Sequence, residues 1–158
     1  MTVTIALPRN DADLEAIKTL FREYAGSLKF SLGYQDFESE MAGFPGKYGP
    51  PEGALLLARV DGASAGAVAL RKMAPGICEM KRLYVRPAFK GQSLGRKLAQ
   101  ALVAEARGRG YAKMRLDTVA DQMQAAVGLY RSMGFIDIPA YYDSPIPGTA
   151  YMELDLGR

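Results

Sequence analysis

The stretch from Cys78 to Thr118 constrains this chain more than any other. The run Cys78–Val85 reads as a strand ended by Pro87. A helix begins near Leu94 and leaves through Gly108 and Gly110, and Lys113–Thr118 reads as the next strand. A strand, helix and strand joined this way pair the two strands in parallel through a right-handed crossover. Between the first strand and the helix lies Lys90-Gly91-Gln92-Ser93-Leu94-Gly95, a short basic turn. A helix start presents unpaired N–H groups and the positive end of the helix dipole, which suits an anion, and glycine lets the backbone approach it closely. Phosphate or pyrophosphate is the natural guest, although a glycine turn alone is equally consistent with a plain tight turn.

The flanking segments complete an order βααβββαβαββ. Val3–Leu7 reads as an edge strand closed by Pro8. Asp11 is expected to cap a helix on which Leu14, Ile17, Phe21, Tyr24 and Leu28 follow helical spacing. A shorter helix is expected over Asp36–Ala42, and Gly43–Gly53 holds too much Gly and Pro for regular structure. Ala54–Val60 and Gly66–Met73 form a hairpin around Asp61-Gly62. A last helix, Met123–Met133, puts Ala126, Leu129, Tyr130 and Met133 on one side, and Ile136–Ala140 and Ala150–Leu156 supply two final strands. The expected fold is α/β: a mixed, mostly antiparallel sheet of about seven strands, helices on both faces, the fourth and fifth strands parallel.

Two absences narrow the chemistry. With no histidine, a Ser-His-Asp triad, a Cys-His pair and any histidine-ligated metal are excluded. The single cysteine, Cys78, can form neither an internal disulfide nor a zinc ribbon. No metal is expected, and proton transfer must rest on Glu, Asp, Tyr, Lys, Cys, a terminus or water. The 158 residues suit one domain, 1–158, and the chain lacks both a membrane-length apolar run and a signal-peptide pattern, so a cytoplasmic location and no membrane partner are expected. The net charge of +3 argues little for nucleic acid, and none is expected. Its distribution is uneven: Arg86, Lys90, Arg96, Lys97, Arg107 and Arg109 against Glu105 make residues 86–109 +5 and the remainder −2.

The basic turn, the order of elements and the later Gly128-Leu129-Tyr130-Arg131-Ser132-Met133-Gly134-Phe135 together resemble the GNAT family of N-acetyltransferases. There a pattern Arg/Gln-x-x-Gly-x-Gly/Ala opens a helix and holds the pyrophosphate of acetyl-CoA, and an ending like ALYEKLGF follows. The first pattern falls on Lys90, Gly91, Gln92, Ser93, Leu94 and Gly95, with Arg96 adjacent, and the resemblance is strongest from Cys78 to Phe135. This chain departs from it at Lys90, at Ser93 in place of a glycine, and at Met123, where an Asn is common seven residues before the tyrosine. A positive φ at Ser93 would cost on the order of 1 kcal/mol.

The resemblance implies that the fourth and fifth strands splay, that pantetheine bonds the backbone of Leu83, Tyr84 and Val85, and that acetyl-CoA is a co-substrate used directly within a ternary complex. An acceptor amine of pKa about 10.4 must first lose a proton. Glu79, eleven residues before Lys90, stands where histone-acetylating members carry their glutamate and is the candidate base; a plain ion pair with Lys81 or Arg82 is the competing reading. Tyr130 is the candidate general acid for the departing thiolate, with a core aromatic as the alternative. Cys78 reads as a buried structural residue.

The acceptor is expected to be a small-molecule primary amine, bordered by Tyr24, Phe30, Tyr34, Phe44, Tyr48, Tyr141 and Tyr142. Glu38, Glu40, Asp117 and Asp143 are available to an ammonium, and Lys81 or Arg82 to a carboxylate. A catalytically silent CoA-binding regulatory module and a protein or peptide N-acetyltransferase are the alternatives. A Walker loop is excluded, because Gly95 is followed by Arg96-Lys97-Leu98. Many members of the family pair as homodimers, and no segment here compels it.

Overall fold

The computed structural model describes residues 2–120 and 123–157. Its elements are β1 (Val3–Ala6), α1 (Asp11–Ser27), α2 (Phe37–Ala42), β2 (Ala54–Val60), β3 (Ala63–Ala74), β4 (Ile77–Val85), α3 (Leu94–Gly108), β5 (Lys113–Val119), α4 (Gln124–Ser132), β6 (Ile136–Ile138) and β7 (Thr149–Asp155). The strands form one seven-stranded sheet in the order β1-β2-β3-β4-β5-β7-β6. Only β4 and β5 run parallel; every other neighbouring pair is antiparallel. The expected mixed sheet and its parallel pair are therefore present.

Local chemistry explains most boundaries. Asn10, rather than Asp11, caps α1, its side chain accepting from the Asp13 N–H at 2.9 Å. Asp13 in turn accepts from the Arg9 N–H and from the Arg59 guanidinium, which ties the start of α1 to β2. Asp61 and Gly62 both take positive φ, 50° and 86°, as a two-residue hairpin turn between β2 and β3 requires. α2 is shorter than the expected Asp36–Ala42, and the Gly/Pro stretch holds one 3-10 turn, Gly46–Tyr48.

Two cores sandwich the sheet. On one face α3 buries Leu94, Leu98, Leu102 and Ala106, spaced as one stripe of the helix, and most of these pack on Leu56, Val68, Met114 and Leu116. On the other, Ile17, Leu20 and Phe21 of α1 meet Met41, Tyr48, Leu55 and Leu57. Gly66 is needed where β3 passes α3: a Cβ there would lie 2.6 Å from the Tyr84 carbonyl and 3.1 Å from Leu98.

The splay starts at a bulge in β4. Opposite β3 the register runs Ala69↔Lys81 and then Ala67↔Tyr84, so Arg82 and Leu83 together oppose Val68. Arg82 adopts φ 63°. β4 pairs with β5 over Ile77↔Lys113, Cys78↔Met114 and Glu79↔Arg115, and no further. Beyond that last rung the two strands diverge.

Candidate active site

A narrow cavity of about 90 Å3 occupies the divergence. Met80–Leu83 of β4 and Leu116–Val119 of β5 form its walls, Met123, Ala126 and Tyr130 close the α4 side, and Tyr24, Phe30 and Tyr34 cover the other. Thr118 donates to the Met123 sulfur at 3.2 Å, so the position at which an Asn is common in the family carries an apolar lining residue here.

The basic turn lies at the α3 side of this opening. Gly91 takes φ 88° and Ser93 takes φ 58°, ψ 27°, so the serine stands in the left-handed region and makes no side-chain cap for α3. The N–H groups of Ser93, Leu94, Gly95 and Arg96 donate to no acceptor among the described residues, and a Cβ added at Gly95 would meet nothing nearer than 3.9 Å. Gln92 has a buried amide oxygen without a partner. Four free donors at the N-terminus of a 15-residue helix suit a diphosphate.

The charges around the turn sort themselves. Arg86 is held by Glu23, with Nη2 at 2.6 Å and Nε at 2.9 Å, and Arg109 by Glu105 and the Pro51 carbonyl. Arg107 donates to the Leu156 carbonyl. Lys90 and Lys97 meet no acidic partner among the described residues, and Arg96 reaches only the Ser132 hydroxyl at 2.7 Å, joining α3 to α4. The cations free to face an anion are thus Lys90, Arg96 and Lys97.

Along β4, Tyr84 and Val85 pair with Ala67 and Gly66 on one edge, while the edge toward β5 has no strand partner after Glu79. Leu83 and Val85 pack partly against the core below α3. Tyr84 turns the other way, its ring edge-on to Tyr24.

Tyr130 is buried against Phe135, their rings 5.6 Å apart, and lines the cavity. Its hydroxyl donates to no acceptor among the described residues. Burial first, then the nearby Tyr24 and Asp117, pushes this phenol well above its ordinary pKa, so it remains protonated at neutral pH.

Glu79 is 1% exposed and sits in a row of alternating charge across the sheet: Arg71 on β3, Glu79 on β4, Arg115 on β5, Glu153 on β7. Arg71 Nε donates to its Oε1 at 2.8 Å, Tyr141 donates to its Oε2 at 2.8 Å, and Lys81 Nζ stands 4.0 Å away. Both oxygens are engaged, and Glu79 borders a second pocket, of about 420 Å3, together with Tyr141, Lys81 and Arg115. Tyr34, Gln35 and Lys81 line both pockets and mark where they meet.

Several acceptor-side expectations change. Arg82 does not face a substrate: its guanidinium forms a two-point pair with Glu40, at 3.1 and 3.2 Å, and donates to Gln35. Glu40 is thereby occupied and also accepts from Tyr48, which is core. Glu38 is a surface partner of Arg22, Phe44 packs edge-on to Phe21, and Asp143 is exposed. Asp117 does line the cavity and accepts a hydrogen bond from Tyr142. Arg71 and Arg115 carry no local signal, because their alignment with Glu79 exists only once three strands are in register.

A sheet opened at one parallel pair, with a donor-rich helix start at its side, is the architecture of acyl-CoA-dependent acetyltransferases. The family model described as the acetyltransferase (GNAT) family matches residues 14–135. The chain belongs to the GNAT acetyltransferase family. It is similar to an uncharacterised N-acetyltransferase of Schizosaccharomyces pombe, 39% identical over 158 residues that cover 99% of this chain and 96% of that protein. Its fold is similar to a GNAT-family acetyltransferase of Staphylococcus aureus, with a TM-score of 0.77 at 16% identity, covering 98% of this chain and 99% of that one. It is similar also to a Salmonella typhimurium chain solved with its cofactor acetyl-CoA, with a TM-score of 0.75 at 23% identity, covering 100% and 96%. Among the described residues no helix is long and apolar enough to cross a membrane, and no group of three or more acidic or cysteine side chains is placed to hold a metal ion.

Proposed function

We propose that the protein, acting as one domain over 1–158, moves the acetyl group of acetyl-CoA directly to a primary amine of a small molecule. The observation that carries the reading is the Tyr130 hydroxyl, which lines the cavity between the splayed strands and has no partner among the described residues, on a helix, α4, that the donor-rich start of α3 meets through Arg96 and Ser132. The fold neighbour that holds acetyl-CoA supports the choice of co-substrate.

In this reading the N–H groups of Ser93 to Arg96, with Lys90, Gly91 and Gln92 shaping and charging the turn, hold the pyrophosphate. The open edge of Leu83, Tyr84 and Val85 pairs with the pantetheine amides, leaving the thioester beside Tyr130. Glu79, through a water or the Tyr141 phenol, takes the proton that the ammonium must lose, a step that costs on the order of 4–5 kcal/mol for a lysine-like amine at neutral pH. The amine nitrogen then bonds the acetyl carbon, the carbon–sulfur bond breaks, Tyr130 gives its proton to the thiolate, and the second proton shed by the new amide nitrogen returns to the Tyr130 phenolate. The buried Cys78 takes no part.

Calorimetric titration with acetyl-CoA, dephospho-CoA and ATP, followed by thiol release with a panel of amines, tests the reading. Micromolar acetyl-CoA binding, about −8 kcal/mol, with weak ATP binding and amine-dependent thiol release is expected. Tight binding with no release from any amine or peptide would make the protein a CoA-binding module, and release with peptides alone would move the acceptor to protein.

A further inference from the structure

The pocket beyond the cavity holds more positive charge than the transfer chemistry uses. It lies where β3, β4 and β5 are still joined, over the row Arg71, Glu79, Arg115. Lys47, Arg71, Lys81 and Arg115 line it against one carboxylate, Glu79, which Arg71 already engages. Glu153, just outside, is shared by Lys113 and Arg115, and Asp117 is held by Tyr142. Cations remain in excess even when these two outer acids are counted with Lys113.

Two of the cations are poorly compensated. Lys47, presented by the Gly46–Tyr48 turn, meets no acidic partner among the described residues. Lys81 is largely buried, with Nζ 3.1 Å from the neutral Gln35 oxygen and Glu79 no closer than 4.0 Å. Arg71 and Arg115 each give only Nε to their carboxylate partner within the rung; Arg71 Nη1 also donates to the Lys72 carbonyl at 3.4 Å, and the remaining terminal N–H groups suit a planar two-oxygen anion. A half-enclosed pocket of this sign concentrates anions and repels polycations.

Resting on the transferase reading, we infer that the acceptor is a small amine that also carries a carboxylate. Its carboxylate sits on Lys47, Arg71 and Arg115, and its amino group points past Lys81 toward Tyr130. The reaction forms an amide at that amino group and leaves the carboxylate unchanged, so the product is an N-acetyl amino acid.

Thiol release from acetyl-CoA is compared for L-alanine and L-alaninamide, L-aspartate and its diamide, spermidine and phosphoethanolamine. The acids are expected to exceed their amides by about 10–100-fold in kcat/KM, the range of one or two charge-assisted hydrogen bonds. Lys47→Gln, at an exposed position that keeps the fold, raises KM for the acid about tenfold with kcat moving far less, and Lys47→Arg restores it. Faster reaction with amides, spermidine or phosphoethanolamine overturns the inference and leaves the transferase standing. If no amine releases thiol, the melting temperature of the CoA-bound protein decides. A rise with the acids that Lys47→Gln abolishes keeps the site and removes the transferase reading, and no rise removes both.

Discussion

Tyr141 and Glu79 stand 62 positions apart in the chain, yet the Tyr141 phenol donates to Glu79 Oε2 at 2.8 Å. With Arg71 on the other oxygen, the carboxylate is oriented from both sides where it lines the second pocket. The proton path we propose for the incoming amine begins at this pair.

Glu79→Gln separates catalysis from structure at this point. The substitution leaves Arg71 without its anion at a position whose acid is buried, and a loss of about 2–3 kcal/mol of stability is expected by urea unfolding. If Glu79 takes the amine proton, kcat/KM falls at least about 100-fold at neutral pH and recovers as pH approaches the amine pKa. A rate that falls only in proportion to the folded fraction, with an unaltered pH profile, would assign Glu79 to the charge row alone.

Tyr130→Phe keeps the ring against Phe135 and deletes a hydroxyl that no described residue holds. The expected result is a fall of about 10²–10³ in kcat, with acetyl-CoA affinity and melting temperature nearly unchanged. Stopped-flow thiol release and calorimetry on the same preparation measure both. An unchanged kcat would leave Tyr130 as a core residue.

Ser93 at φ 58° is the strained link of the basic turn. Ser93→Gly relieves it and is expected to raise stability by about 0.5–1 kcal/mol while preserving acetyl-CoA binding. Ser93→Val places a β-branched side chain in the same region, and a loss of at least about 1 kcal/mol with weaker acetyl-CoA binding should follow. Urea unfolding and titration of both variants against the parent check the pair. Weaker binding by the glycine variant would instead show that the serine hydroxyl contacts the ligand.

Cys78 is fully buried, and that burial pushes its thiol up to about 12 from 9.0. The folded chain keeps the proton that the unfolded chain releases, so this group's stabilising contribution is intact below pH 9 and declines as pH rises toward 12. Alkylation by iodoacetamide at pH 8 should therefore require unfolding, and mass spectrometry across a urea gradient should show modification tracking the unfolding curve. Rapid modification in native buffer would contradict the burial.

Much of this protein was legible in one dimension. The strand, basic turn, helix and strand from Cys78 to Thr118 could close only as a parallel unit, and that unit is β4, α3 and β5. These signals are local: Pro87 ends a strand, helical spacing from Leu94 puts Leu98 and Leu102 on one face, and the glycines set the turns. The strain at Ser93 was readable for the same reason, since the turn surrounds it within a few residues.

The acceptor side was decided only by tertiary structure. Arg82 looked available to a substrate until the fold brought Glu40 to it across 42 positions, and Arg86 left the basic turn for Glu23 across 63. Nothing near these residues in sequence announces such partners, because burying one charge requires another that arrives from a different layer of the fold. The row Arg71, Glu79, Arg115 likewise depends on the registers of three strands, and a shift of one residue in any of them would turn its charge to the opposite face. The sequence by itself determined the parallel unit of β4, α3 and β5, at which the sheet opens, and put a basic turn at the start of α3. The packing of α1, α2 and β7 around that opening determined which charges remain to meet what enters.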